Sequence, residues 1–168
     1  MKKEIIRDFI RNVLIALALV IVLISFVIMP CVVEGTSMNN TLFANDFGYS
    51  FIISRKLGIK RFDIAIIKVG DKNGSKLIVK RVIGLPNETI EYRDNKLYID
   101  GELYEEEYLG NVSTDDLKIT LSDNEYFCLG DNRPVSRDSR FYGPFNSEQI
   151  VSTHLLVLYP LKDFGFKN

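Results

Sequence analysis

Twenty-two consecutive residues without a charge lie between Arg11 and Glu34, reading NVLIALALVIVLISFVIMPCVV. As a helix rising about 1.5 Å per residue, such a run reaches roughly 33 Å, enough for a hydrocarbon core of about 30 Å. A core helix of a soluble protein normally carries a polar stripe, and this run has none. A cleaved secretory leader has an apolar stretch of about 7–15 residues and a small-x-small exit. Here the run is longer and leaves through Pro30-Cys31-Val32-Val33. The segment therefore reads as a retained membrane anchor. Lys2, Lys3, Arg7 and Arg11 precede it; Glu34 and Asp46 follow, and the next basic residue is Arg55. The positive-inside rule then makes residues 1–11 a cytoplasmic N-terminus and residues 12–33 a transmembrane helix. Residues 34–168 become a domain on the outer side of the cell membrane, which the chain crosses once.

That outer part is long enough to pack a core of its own. The net charge of -1 and a pI near 5.9 argue against a nucleic-acid partner bound through a basic face. Two cysteines, Cys31 and Cys128, cannot build a disulfide framework, and with the single His154 they cannot complete a four-ligand zinc site. Two buried thiols are expected. Hydrolytic chemistry in this chain needs a base other than a histidine with a spare partner.

The outer part reads as mostly β. Short apolar, β-branched runs recur at residues 49–54, 63–69, 77–83, 89–92, 97–99, 126–129 and 153–158, separated by Gly, Asn and Asp. Asp71-Lys72-Asn73-Gly74, Arg93-Asp94-Asn95-Lys96 and Asp100-Gly101 read as hairpin turns. Residues 101–123 are more acidic and are expected to cover or decorate the sheet, and residues 145–150 to form a single helical turn. The fold class is a largely antiparallel, twisted β-domain on one N-terminal helix.

Three segments are too specific to be strand filler. In Gly35-Thr36-Ser37-Met38, just past the anchor, a turn serine ordinarily serves as a solvated hydroxyl or a helix cap. Beside a glycine that allows close backbone approach, Ser37 can instead aim its Oγ at a substrate while its own N–H holds an oxyanion. In Val79-Lys80-Arg81-Val82-Ile83-Gly84-Leu85-Pro86, alternation sends Lys80 and Arg81 to opposite faces. Lys80 is either an exposed edge residue or a buried amine. Burial disfavours the ammonium and leaves a neutral amine able to act as a general base. The third segment is Gly130-Asp131-Asn132-Arg133-Pro134-Val135-Ser136-Arg137-Asp138-Ser139-Arg140-Phe141-Tyr142-Gly143. It is dense in short hydrogen-bonding side chains, as a rigid, internally paired loop beside a reactive centre would be.

With these three segments in this order after an anchor, the chain resembles the bacterial type I signal peptidases, membrane-bound Ser–Lys proteases. Ser37-Met38-x-x-Thr41-Leu42 resembles their nucleophile box and Lys80-Arg81-Val82-Ile83-Gly84-Leu85-Pro86 their lysine box. Residues 130–143 resemble their GDNR-x-x-S-x-DSR box, and Arg61-Phe62-Asp63-Ile64-Ala65-Ile66-Ile67 the strand between the first two. The resemblance covers nearly the whole chain and implies a serine endopeptidase that removes signal peptides from exported preproteins. It implies Ser37 as nucleophile, Lys80 as general base, Ser136 as a hydrogen-bond partner orienting the Lys80 amine, and an Asp138–Arg140 ion pair as support. The partners implied are the lipid bilayer and signal peptides with small residues at the first and third positions before the cut. No metal or organic cofactor is implied.

The chain departs from the family pattern in places. Asn40 stands where Pro is usual, which should loosen the turn. Asn87-Glu88 replaces Gly-Asp, and Phe62 replaces Gly before Asp63. Gly35 replaces a serine that in some members donates to the oxyanion, leaving that task to the Ser37 N–H. Two other readings compete with this one. A self-cleaving repressor with Ser–Lys chemistry would lack the anchor and carry a DNA-binding segment. A signal-peptidase-like assembly factor for surface pilins would have lost the dyad, whereas Ser37 and Lys80 are both present.

Overall fold

The computed structural model describes residues 2–71, 74–110 and 112–167. Helix α1, Lys2–Ser25, carries the apolar run out of the molecule. Its aliphatic side chains are exposed along the whole length, and by length and composition it can cross a membrane. The helix stops short of the expected boundary at residue 33. Strand β1, Ile28–Val32, takes the last part of the uncharged run and pairs antiparallel with β2, Phe47–Phe51. Pro30 gives the reason: it has no N–H to donate and its ring clashes with the preceding helical turn, whereas an edge strand tolerates it. The uncharged helical stretch is therefore residues 12–25, about 21 Å long. The helix begins well before it and includes Asp8 and Arg11, paired at 3.3 Å.

The rest is antiparallel β, as the sequence pattern predicts. A 3₁₀ turn, Ile52–Leu57, leads into β3, Ile64–Asp71, and β4, Gly74–Gly84. Then follow β5, Thr89–Arg93; β6, Lys96–Ile99; β7, Glu102–Tyr104; β8, Leu117–Thr120; and β9, Glu125–Leu129. A four-residue helix α2, Ser139–Tyr142, precedes β10, Phe145–Asn146, β11, Ile150–Tyr159, and β12, Gly165–Lys167. The large sheet runs β1-β2-β11-β3-β4-β9-β10, with β12 alongside β11; the small sheet runs β7-β6-β5-β8. The acidic segment expected to decorate the sheet thus supplies two strands of the small one. Residues 145–150, expected as one helical turn, split into β10 and a 3₁₀ turn, Ser147–Gln149.

Turn chemistry follows the residues. Asp94 and Asn95, and Asp100 and Gly101, all have positive φ, as tight hairpins require. Of the turn expected at residues 71–74, Lys72 and Asn73 lie outside the described residues, while β3 and β4 pair as far as Asp71 and Gly74. Cys31 is half-buried and Cys128 buried, and neither is bridged.

Three apolar clusters fix the layers. One joins Ile83, Phe127 and Leu129 of the large sheet to Ile90, Tyr92, Leu97 and Ile99 of the small sheet. A second lies around Ala65, Ile67, Val82, Cys128 and Ile150. The third seats Met38 and Leu42 against Ile64, Leu155 and Val157, which anchors the turn between β1 and β2. Strand β4 reaches β9 only from Arg81 onward. One edge of β4 before that point and the outer edge of β1 remain unpaired among the described residues.

Candidate active site

Ser37 sits in the β1–β2 connection, on a turn closed by Asn39 N–H to Thr36 O and by Leu42 N–H to Met38 O. Gly35 has φ +77°, a left-handed conformation costly for other residues, and a Cβ there would meet no neighbour. Conformation, not space, therefore requires the glycine. Asn40 does not loosen this turn as its replacement of proline suggests. It takes φ +91°, which proline cannot, and its Nδ2 donates to Leu109 O at 3.1 Å.

Lys80 comes from β4, on the register Ala65↔Lys80. Its Nζ lies 2.7 Å from Ser37 Oγ and donates to the Val79 carbonyl at 2.7 Å. The side chain is 3% exposed. Burial lowers its pKa from 10.5 to about 8, against the opposing pull of Asp138 and Asp131. The neutral amine that the sequence calls for is thus accessible near neutral pH.

Arg81 points to the opposite face, as strand alternation predicts, yet it too is buried. Its Nε and Nη2 donate to the two Asp131 oxygens at 2.9 and 2.8 Å, its Nη2 also to Thr41 Oγ1, and its Nη1 to Phe62 O at 2.9 Å. Thr41 Oγ1 donates to Asp131 Oδ2. One ion pair therefore ties together the serine turn, the lysine strand and the last loop. Phe62 offers its carbonyl from a φ of +68°, the conformation a glycine would take easily.

The last loop docks onto the serine turn through its backbone: Asn132 N–H donates to Ser37 O at 3.0 Å and Asn132 Nδ2 to Thr36 O. Gly130 allows this approach, because a Cβ there would lie 2.2 Å from Ser136 Oγ and 2.5 Å from Ser37 O. Asp138 and Arg140 form the expected pair, with Arg140 Nε and Nη2 on the two carboxylate oxygens at 2.9 and 2.8 Å. Asp138 also receives Gly130 N–H and caps α2. Burial pushes its carboxyl up, but the bonds from Arg140 and Gly130 outweigh that and hold it below the ordinary value. Ser136 departs from expectation. Its Oγ is buried without a hydrogen-bond partner among the described residues, and Lys80 bonds Ser37 and Val79 instead. The hydroxyl is near enough to favour the Asp138 carboxylate, but no well-directed bond joins them.

Motif reading missed a second layer. Arg133, whose side chain is fully buried, donates to Gly130 O, Tyr92 Oη and Thr114 Oγ1, and to Glu106 at 2.6 Å. Glu106 and Tyr108 lie in the acidic segment, where sequence spacing offers no sign that a carboxylate meets an arginine some 27 residues away.

A groove of about 530 Å³ leads to the dyad. Residues 29–32 of β1 form one wall and residues 76–80 of β4 the other, with Ile66 on the floor and Ser37 and Lys80 at its end. β1 and this part of β4 each present a strand edge unpaired by another strand among the described residues, the kind of edge an extended peptide can join. Among the described residues, no group of three or more His, Cys, Asp or Glu side chains gathers as metal ligands.

The family model for signal peptidase, peptidase S26, matches residues 6–159. Signal peptidase I P of Bacillus subtilis subsp. natto is 38% identical over 95% of this chain and 92% of its own length. Signal peptidase I S of Bacillus subtilis (strain 168) is 34% identical over 99% of this chain and 96% of its own. A crystal structure of a signal peptidase I from Enterococcus faecalis V583 is 37% identical, with a TM-score of 0.51 over 56% of this chain and 95% of that one.

Proposed function

The chain belongs to the S26 signal peptidase family, and from that premise we propose that it is a serine endopeptidase that removes signal peptides from exported preproteins through Ser37 and Lys80. The observation that carries this reading is a buried lysine amine 2.7 Å from a serine hydroxyl at the end of a groove with strand-edge walls. The related signal peptidases I support it, and neither the repressor nor the pilin-factor reading gains any observation.

In the proposed reaction the preprotein lies extended in the groove and its scissile carbonyl meets Ser37. Neutral Lys80 takes the Ser37 hydroxyl proton as Oγ forms its bond to the carbonyl carbon. The Ser37 N–H stabilises the oxyanion, a contribution of about 3–4 kcal/mol for one such donor. As the tetrahedral intermediate collapses, the C–N bond breaks and the Lys80 ammonium protonates the departing amine, the new N-terminus of the mature protein. Water then attacks the Ser37 ester, giving a proton to neutral Lys80; the ester C–O bond breaks, Lys80 returns that proton to Ser37 Oγ, and the signal peptide leaves as a carboxylic acid. Cys31 and Val79, which line the groove and are half-buried, are the side chains proposed to select small residues at the first and third positions before the cut.

Helix α1 anchors the enzyme in the cell membrane, with the N-terminus cytoplasmic and the β-domain outside. Enzyme and signal peptide then share one bilayer, which raises their effective concentration. Cleavage of a preprotein by the full chain in detergent tests the reading. Wild type is expected to release the mature protein; processing retained by Ser37→Ala would sink the assignment.

A further inference from the structure

Two guanidinium groups are sealed inside the molecule, and one short turn reaches both. Tyr108 stacks its ring 4.0 Å from Arg81 Cζ, and its hydroxyl donates to Glu106 Oε1 at 2.5 Å. Glu106 in turn receives Arg133 Nη2 at 2.6 Å and Tyr92 Oη at 2.8 Å. None of these residues lines the groove that holds Ser37 and Lys80. Each is nevertheless one step from the reacting pair. Arg81 follows Lys80 in β4. Arg133 sits beside Asn132, whose N–H grips the Ser37 carbonyl.

The in-plane donors of Arg81 are engaged by Asp131, Thr41 and Phe62 O, which leaves the flat face of the guanidinium to be covered. Tyr108 covers it. A surface hollow of about 430 Å³, bordered by Asn40, Thr41, Arg81 and Tyr108, opens on that side of β4. Arg81 and the Tyr108 ring both line it, on the face of β4 opposite Lys80. We propose that Tyr108 and Glu106 are positioning residues for the peptidase reaction, holding Arg81 and Arg133 so that Asp131 stays paired and the Lys80 amine stays seated on the Ser37 hydroxyl. The inference rests on the reading that Ser37 and Lys80 cleave the peptide, and it assigns that site a support in the small sheet's acidic turn.

The sign of the effect follows from electrostatics. If Tyr108 is lost, Arg81 is held less firmly and neutralises Asp131 less completely. The Asp131 charge, which already favours the Lys80 ammonium, then favours it more. That change moves Lys80 toward its ordinary pKa and reduces the neutral fraction at pH 7.

The test uses the full chain in detergent micelles, with Tyr108→Leu, Tyr108→Phe, Glu106→Gln and a control, Tyr98→Leu. Tyr98 carries a comparable contact with Arg93 on the other side of the small sheet, away from the dyad. Tyr108→Leu is expected to lower kcat at pH 7 about tenfold with KM within about twofold, and to move the acid limb of the kcat profile up by about one pH unit. Tyr108→Phe, which keeps the ring, should stay within about threefold of wild type, with Glu106→Gln between the two. Titration of the lysine Cε signals by NMR in the same variants should show the Lys80 midpoint moving by the same amount. A wild-type kcat and Lys80 midpoint in Tyr108→Leu overturn the proposal, as does an equal shift in Tyr98→Leu. Cleavage that survives Ser37→Ala instead defeats the peptidase reading, and the NMR midpoint still decides the role of Tyr108.

Discussion

Lys80 and Arg81 are neighbours on one strand, both buried cations, and the protein treats them in opposite ways. Arg81 is well compensated: a carboxylate takes two of its donors, a hydroxyl and a carbonyl take two others, and an aromatic ring covers its face. Lys80 is left short: among the described residues its hydrogen-bond partners are the Ser37 hydroxyl and the Val79 carbonyl, and the opposite charges that act on it, Asp138 and Asp131, are already paired with arginines. A cation held by full compensation is structural. A cation denied compensation gives up its proton and becomes reactive. The difference lies in what tertiary packing brings to each face.

Four experiments break or sharpen that contrast. The largest effect should come from the reactive face: Ser37→Ala and Lys80→Ala should each lower cleavage by roughly 10⁴-fold or more without unfolding the protein. Lys80→Arg should fail as well, because guanidinium cannot serve as a base near neutral pH. A Lys80→Arg enzyme with more than a per cent or so of wild-type turnover would remove the need for a neutral amine.

On the compensated face, Asp131→Asn should cost about 3–5 kcal/mol of stability, since it leaves Arg81 buried without its counter-charge. Gly130→Ala should also be severe, because the added methyl overlaps Ser136 Oγ and the Ser37 carbonyl. Denaturant titration of both variants checks these losses.

The pH dependence separates the two cations further. Cleavage should rise as pH passes through about 8, where Lys80 loses its proton. The folded pKa lies below the unfolded value near 10.5, so the unfolded chain binds more protons between those pH values and burial of Lys80 destabilises the protein below pH 8. Lys80→Met should therefore raise stability at pH 7 by on the order of 2 kcal/mol, a gain that fades as pH climbs toward 10.5. An Lys80→Met protein less stable than wild type at pH 7 would show that the amine is compensated after all. The smallest effect is expected from Gly35→Ala, about 1 kcal/mol, from the positive φ alone.

Much of the site was readable as three boxes, because each box keeps its reacting side chain within a short local pattern. Ser37 follows a glycine turn, Lys80 interrupts an apolar run, and Asp138 stands two residues from Arg140. Ser136 shows the limit of that reading: its position in the box was legible, its hydroxyl's partner was not. The helix boundary failed for a related reason. An uncharged run does not state where helix gives way to strand, and Pro30 together with the pairing partner β2 decided it. Glu106 and Thr114 were illegible because their partner Arg133 is distant in sequence, as Arg81 is from Tyr108, and an acidic surface segment has the same composition whether or not a few of its side chains turn inward.

The sequence by itself determined an apolar N-terminal run and an antiparallel β-domain, and through a family resemblance it implied the pairing of a serine with a lysine, since periodicity and short motifs are local properties. Only the tertiary structure decided that both faces of β4 are covered from Lys80 onward, that Arg81 is compensated while Lys80 is not, and that a turn of the small sheet contacts both arginines. Desolvation is set by everything that packs around a group, and no stretch of sequence contains its own surroundings.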